Sequence, residues 1–511
     1  MAPSIEVSVV SSERLFPETP PPSGRAVPLS LLDATTANFA VTEAIWLFER
    51  PRHVTAAFNL AQHLKQALQT TLTAYPQWCG QCKAVTAPSG PTEDTTRDFP
   101  PHARRFGRIY AHFGISEDPG VGFVTATSSA TLDSLYPGNR TESLPLWNRR
   151  EADLKVFAPG TAIHSTLQPN NPDDLGLRKP LLAIQLTQLA CGGFVLAAKS
   201  THPMADIATL ARLVKDWGKV SGPMLHGEPL PMSSPVFDPA LLDACAGGDI
   251  NAEAPDADTL EKDRSPPMPW KDWDFTAPVA SYIIHLSSKQ VDYLYSEARR
   301  GQVGANSRLS KHDAVLAHIW SCVARARLQQ EDHEAVHCDL TIGVRPALQL
   351  GEDFLGSPVL LVNVEMTGAE AAAVDEDNSA LRRIVRAIRS TIGAANDKGA
   401  LAAHLHRLAF EKSPQRIWQA FLGSRHCLVT TWARAGIYEV DFGLGSAVRY
   451  ADGVVPEMDG CILIKEAPPA GKVLVAGQKV GWTDHGVDIS VALKAEDMER
   501  LLKDPLLLPT V

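Results

Sequence analysis

Residues 179–217 read KPLLAIQLTQLACGGFVLAAKSTHPMADIATLARLVKDW, and the apolar pattern changes period at a single histidine. Residues 181–187 and 193–198 are short apolar runs on either side of Gly192-Gly193, the mark of two strands joined by a tight turn. Further on, Ile207, Leu210, Val214 and Trp217 follow at the spacing of one helix face. His202 stands between the two patterns. Pro203 biases it away from helical backbone, yet proline suits the first position of a helix. The stretch therefore predicts a hairpin feeding a helix, with His202 at the junction and Asp206 in the helix's first turn. A side chain there is held by rigid elements and still faces a cleft.

Outward from this segment the chain divides in three. Upstream, residues 27–50 alternate polar and apolar in their middle, as a half-buried strand does. Leu60, Leu64, Leu68 and Leu72 then form a helix-period stripe that Pro76 ends. Downstream, residues 221–278 are rich in proline and carry the acidic run DINAEAPDADTLEKD at 249–263, the composition of a long inter-domain connection. Beyond it lie a strand and helix at 281–300, a strong helix at 309–328, and strand-like runs at 337–348, 358–366, 427–445 and 460–468. The expected domains are 1–220 and 279–511, with 221–278 as a crossover. No repeat of 20 to 50 residues interrupts this plan.

The totals narrow the partners. A chain of 511 residues is too long for one core. Its formal net charge of −10 and the lack of a Lys/Arg cluster argue against nucleic acid. Eight scattered cysteines suit a reducing cytoplasm rather than a disulfide framework. Cys79 and Cys82 have the spacing of half a zinc site, but no second pair or suitably spaced histidines complete four ligands, so no metal is expected. The N-terminal residues lack a signal-peptide pattern and no apolar run reaches the roughly 18 residues of a membrane span. A cytoplasmic monomer is expected, with no membrane partner.

With 16 histidines and aspartate at roughly one residue in twenty, about one His-x-x-x-Asp arises by chance. A partly buried histidine held by its neighbours satisfies the spacing equally well. The chemistry gives it more interest: a neutral imidazole is the side chain best suited to take a proton from a hydroxyl or amine near pH 7. Asp206 either orients that ring or turns away to pair with an arginine and fix the loop. No Gly-x-Ser-x-Gly supplies a nucleophile, so direct transfer is simpler than a covalent intermediate.

Several stretches together resemble the BAHD family of coenzyme A-dependent acyltransferases, with the fungal secondary-metabolism members, such as trichothecene 3-O-acetyltransferases, nearest in character. HPMAD at 202–206 resembles the family's His-x-x-x-Asp motif, and DFGLG at 441–445 its Asp-Phe-Gly-Trp-Gly motif. LSLLD at 29–33, YPQWCG at 75–80, IQLTQLACGG at 184–193, SKHDAVLAHIW at 310–320 and TTWARAGIYEVDFGLG at 430–445 support it in order. The resemblance implies an α/β fold of two similar mixed-sheet domains, chloramphenicol acetyltransferase-like, with the active site in a channel between them. It makes His202 the general base and Asp206 a positioning residue paired with an arginine. Trp432 and Thr430 become oxyanion donors, a role suited to an indole N–H and a rotatable hydroxyl. Asp441 is expected to pair with Arg345 away from the reaction, with Gly443 and Gly445 giving the turn its freedom. The co-substrate implied is an acyl-CoA, most simply acetyl-CoA, with no resident cofactor, and Ser310 at a helix start is a candidate contact for it.

Two positions depart from the pattern. Ile207 replaces the glycine that usually follows the aspartate, and Leu444 replaces the tryptophan. Neither alters a proton-transfer atom. Two other readings stay open on these residues: a condensation-type enzyme that draws its acyl group from a carrier-bound thioester, and a non-catalytic member that keeps only the fold.

Overall fold

The hairpin forms as expected: Leu182–Leu189 and Phe194–Ser200 pair antiparallel, and Gly192 takes φ +83° in the turn, where a side chain is strained. The computed structural model describes residues 5–511 apart from 38–40, 56, 87–93, 254–273, 275, 302–308, 418–420, 422, 455–456 and 470–480. Part of the predicted crossover, with most of its acidic run, lies outside the described residues.

The hairpin occupies the middle of a six-stranded sheet. Its spatial order is Val7–Leu15, Val121–Ser128, Leu182–Leu189, Phe194–Ser200, Thr42–Phe48, Val448–Gly453. A seven-stranded sheet runs Val359–Thr367, Ala335–Gly343, Cys427–Thr431, Cys461–Glu466, Val487–Lys494, Val279–Leu286, Leu146–Asn148. A small third sheet joins Arg25–Pro28, Ile109–Phe113 and Gln81–Ala84. Each large sheet takes an edge strand from the other half of the chain, Val448–Gly453 in one and Leu146–Asn148 in the other. The class is the expected one, α/β with two mixed-sheet halves.

Helices Leu60–Leu72 and Ile207–His226 cover one face of the six-stranded sheet. The leucine stripe is buried as the periodicity requires, with Leu64, Leu68 and Leu72 fully enclosed, each contributing about 1.5–3 kcal/mol of hydrophobic stabilisation. The other face packs on Leu132, Trp147, Phe157 and Ile283. Thr42–Phe48 is consequently buried at all seven positions, not half-buried as its alternation suggests. A central strand with cover on both faces loses the solvent side that alternation presupposes.

The seven-stranded sheet has two unlike faces. Val336, Cys338, Leu340, Val429, Ile462, Ile464, Ile489 and Val491 point into an apolar core covered by helices Ser288–Arg299, Lys311–Ala326, Ser379–Ala395 and Ala495–Leu502. The opposite face, read from the strand registers, carries Asp339, Thr341, Asn363, Thr430, Lys465, Asp488, Ser490 and His285. It looks toward the six-stranded half.

Where the two halves meet, this polar face closes on buried charge. Arg140 and Asp488 are both fully enclosed and 3.1 Å apart; His285 Nδ1 lies 2.9 Å from the same carboxylate. Lys465, also fully buried, donates to Tyr450 Oη and the Ala451 carbonyl, each at 2.9 Å. Arg149 reaches Asp452 at 3.0 Å. Burial alone would raise the Asp488 carboxyl, but Arg140, His285 and Lys465 outweigh it and hold the group far below the usual carboxylate range. Replacing Asp488 by Ala leaves Arg140 and Lys465 uncompensated, and a loss of about 3–5 kcal/mol of unfolding free energy is expected. Urea denaturation of the variant measures it.

Candidate active site

His202 sits in a short 3-10 turn, His202–Met204, directly after the hairpin. The long helix begins only at Ile207, with Asp206 as its N-cap, the carboxylate accepting from Thr209 N–H at 2.9 Å. Asp206 thus stands just before the first turn, where a carboxylate satisfies an otherwise orphaned helix N–H.

The second duty of Asp206 decides the geometry. Arg345 grips it bidentately, Nη1 to Oδ2 at 2.5 Å and Nη2 to Oδ1 at 3.0 Å. The same guanidinium donates to Thr209 Oγ1 at 2.8 Å, to the Gly356 carbonyl at 3.1 Å and to the Phe354 carbonyl at 3.1 Å. The Asp206 N–H also reaches the Gly356 carbonyl, at 3.2 Å. One arginine therefore ties the segment 354–356 to the start of the long helix. The next residue, Ser357, arrives beside the histidine with its Oγ 3.0 Å from His202 Nδ1. Asp33 secures it from the far side: its Oδ1 accepts from Ser357 N–H at 2.6 Å and its Oδ2 from Ser30 N–H and Oγ at 2.9 and 2.7 Å. Burial pushes the Asp33 carboxyl up to about 7 despite these donors.

The imidazole is surrounded by protein, and the residue as a whole is half-buried. Burial lowers its pKa below the ordinary value, opposed by the charge of Asp206 and by a hydrogen bond to the histidine's own backbone. Ser357 Oγ engages Nδ1, and where Nδ1 carries the proton Nε2 keeps the basic lone pair. A neutral imidazole with a fixed tautomer is what proton abstraction near pH 7 requires.

Thr430, one residue before the end of its strand, lies opposite Leu463 on the polar face of the seven-stranded sheet. Trp432 continues the line, its N–H bonded to the Ile464 carbonyl at 2.8 Å. Its ring packs on Gly453, where any Cβ would come within 2.6 Å of the indole. It shares one apolar cluster with Met204 and Ala205, the residues that follow His202 and Pro203.

The pairing expected between Asp441 and Arg345 does not form. Arg345 is spent on Asp206, while Asp441 is exposed and accepts from Gly443 N–H at 2.9 Å. The reason is distance along the long helix: Asp441 packs against Gly218, twelve residues and about 18 Å beyond Asp206. DFGLG is instead a strap across that helix. A Cβ on Gly218 would lie 2.2 Å from the Asp441 carbonyl, and one on Gly443 2.4 Å from Gly222 Cα, so both chains must be bare there. Ser221 Oγ donates to the Phe442 carbonyl at 2.8 Å. The Leu444 carbonyl accepts from Arg52 and His53 N–H, and its side chain is fully buried where the family pattern has tryptophan.

Ser310 N-caps Lys311–Ala326 in a capping box with Asp313, and Arg389 donates to its Oγ at 3.0 Å. Its hydroxyl is engaged locally. Cys79 and Cys82 are buried thiols whose pKa values burial drives upward. Among the described residues no group of three or more His, Cys, Asp or Glu side chains is arranged to hold a metal ion, and no helix is long and apolar enough to cross a membrane. Sequence reasoning did not single out Ser357, Gly356 or Thr209. They carry no motif of their own, and Ser357 lies 155 positions from the histidine it touches.

Two mixed-sheet halves with a held, neutral histidine between them define an acyltransferase of the BAHD type. The chain belongs to the Transferase family, whose model matches residues 5–90 and 99–507. It is 23% identical to acyltransferase AFT15-1 of Alternaria alternata, over 98% of this chain and 97% of that protein. To acyltransferase abl6 of Leptosphaeria maculans it is 24% identical, over 99% and 98%. The fold also resembles F. graminearum TRI101 complexed with coenzyme A and T-2 mycotoxin, with a TM-score of 0.64, 17% identity, and 94% and 98% coverage.

Arg345→Met keeps the bulk of the side chain but abandons the Asp206 carboxylate and three further acceptors. A loss of about 3–5 kcal/mol in urea unfolding is expected, the cost of a nearly buried charge left without its partner.

Proposed function

We propose that the protein takes an acyl group, acetyl in the simplest case, from a coenzyme A thioester and passes it directly to a hydroxyl or amine of a small, largely apolar metabolite. One observation carries this reading: the His202 imidazole, kept neutral by burial and hydrogen-bonded at Nδ1 to Ser357, on a half-buried residue at the junction of strand and helix. His202 Nε2 removes the acceptor proton as the acceptor oxygen or nitrogen attacks the thioester carbonyl. The carbonyl electron pair moves onto oxygen, and Thr430 Oγ1 and Trp432 Nε1 from the facing sheet donate to that oxyanion. When the carbonyl re-forms, the C–S bond breaks and the leaving thiolate recovers the proton from His202.

Asp206 and Arg345 take no proton; they position the turn that holds the base. On this reading residues 1–220 supply the base, 279–511 the oxyanion donors, and 221–278 connects them. The coenzyme A and T-2 mycotoxin bound by TRI101 support the donor and the kind of acceptor. All eight cysteines are free, which supports a reducing, cytoplasmic setting, and we take the active unit to be a monomer.

His202→Ala should lower acyl transfer by about 10²–10⁴-fold, the usual worth of a positioned general base. The assay is thiol release from acetyl-CoA with a panel of hydroxylated terpenoid, polyketide and alkaloid acceptors, and an unchanged rate removes the assignment. Because the base works deprotonated and burial lowers its pKa, activity should persist below pH 6.5 and fall only as pH drops through the depressed value. An acid limb of kcat/KM centred above 6.5 contradicts it. Trp432→Phe retains a ring over Gly453 and deletes only the donor; kcat and kcat/KM should fall together by about 10²–10³.

A further inference from the structure

The turn that begins at Trp432 is held from outside by the carboxyl group of Glu466, a residue in neither sequence motif. Past Trp432 the backbone enters the left-handed region twice, at Arg434 with φ +68° and at Gly436 with φ +64°. Such a turn holds poorly by itself: arginine is strained in that conformation, and glycine has the most backbone freedom to lose. A larger residue cannot stiffen it, because a Cβ on Gly436 would lie 2.6 Å from Glu439 Oε2 and 2.9 Å from Lys215 Nζ.

The destinations of the backbone N–H groups show what secures the turn. Trp432 donates to the Ile464 carbonyl at 2.8 Å and Ala435 to the Trp432 carbonyl at 3.0 Å. Ala433 donates to Thr431 Oγ1 at 3.3 Å. The N–H groups of Arg434 and Gly436 both go to the Glu466 carboxyl, Gly436 at 3.4 Å from Oε1. Ile464 and Glu466 stand two positions apart at the end of one strand, Cys461–Glu466. That strand therefore grips the turn at its first residue and again at its two left-handed ones. Lys215, on the long helix that follows His202, faces the same carboxyl and donates to Glu439 Oε2 at 3.2 Å, which sets the turn against the half that carries the histidine. Burial, with the charge of Glu439, pushes the Glu466 carboxyl up to about 7 despite both N–H donors and Lys215. The group thus serves as an acceptor uncharged as well as charged, and an amide oxygen can take its place.

We propose that Glu466 is a positioning residue for the transfer: by collecting the Arg434 and Gly436 N–H groups it fixes the turn that aims the Trp432 indole at the forming oxyanion. The task of that indole rests on the acyltransferase reading above. The grip of Glu466 on the turn does not.

Glu466→Gln keeps an acceptor oxygen in place and Glu466→Leu removes it, with Glu466→Ala as the alternative should the leucine variant unfold. Hydrogen exchange at the Arg434 and Gly436 amides, read by mass spectrometry on the full chain, should quicken by about ten-fold or more in the leucine variant and stay near the wild-type rate in the glutamine variant. Equal exchange in all three proteins overturns the proposal. In the thiol-release assay the leucine variant should lose about 10- to 100-fold in kcat, and the glutamine variant should stay within about three-fold of wild type. Added to Trp432→Phe, the leucine substitution should cost less than about three-fold beyond Trp432→Phe alone, because the donor it aims is already gone. Losses that multiply place the effect of Glu466 elsewhere and also overturn the proposal. Should the wild-type chain transfer no acyl group, or Trp432→Phe transfer at the wild-type rate, the reading of the activity or of its oxyanion donor fails, and the exchange measurement still decides whether Glu466 holds the turn.

Discussion

The site depends on one guanidinium. Arg345 spends its donors on Asp206, Thr209 and the carbonyls of Phe354 and Gly356, and every one of those partners lies on an element that borders His202. The carboxylate caps the long helix, the threonine sits in its first turn, and the two carbonyls belong to the segment that delivers Ser357. Planar, bidentate geometry lets a single side chain fix the relative position of two chain segments 139 residues apart. A lysine in the same place would offer a point charge and fewer, unoriented donors. The imidazole is thus positioned by an interaction that never touches it.

A second constraint runs through the polar face of the seven-stranded sheet. A sheet face buried between two halves is ordinarily apolar, since charges taken from water cost several kcal/mol each. Here Arg140, Asp488, Lys465 and His285 are enclosed together, and each finds an opposite charge or a hydrogen bond. Such a cluster adds little net stability, but it tolerates only one docking, because a shifted seam would strand a charge. Docking matters here because Thr430 and Trp432 ride on that same sheet, while His202 belongs to the other half. The two exchanged edge strands act in the same direction, and so does the DFGLG strap, whose bare glycines let the backbone of one segment lie directly on the long helix.

Residues 179–217 carried the hairpin, the junction and the helix because those features are local: apolar period, Gly192 in a turn and Pro203 after the histidine all act within a few residues. The leucine stripe at 60–72 was legible for the same reason. The ordered matches to the family from Leu29 to Gly445 marked His202, Asp206, Thr430 and Trp432. What local pattern missed was cover. Thr42–Phe48 alternates as though one face met solvent, and only the second layer packed on Ile45 and Leu47 makes it a buried central strand.

Partner choice was equally out of reach. Arg345 was tied to Asp441 by family resemblance, yet the folded chain sets Asp441 about 18 Å along the helix and puts Asp206 under the guanidinium. Ser357, which touches the imidazole, and Asp33, which holds Ser357, are 324 positions apart and carry no spacing that a scan could find. By itself the sequence determined which segments become strands and helices, and which imidazole stands at their junction, since those follow from side-chain period and backbone preference. Which charge meets which, which strand is enclosed and which hydroxyl touches the imidazole were decided by tertiary structure alone, because hydrogen bonds and burial depend on distance in space and not along the chain.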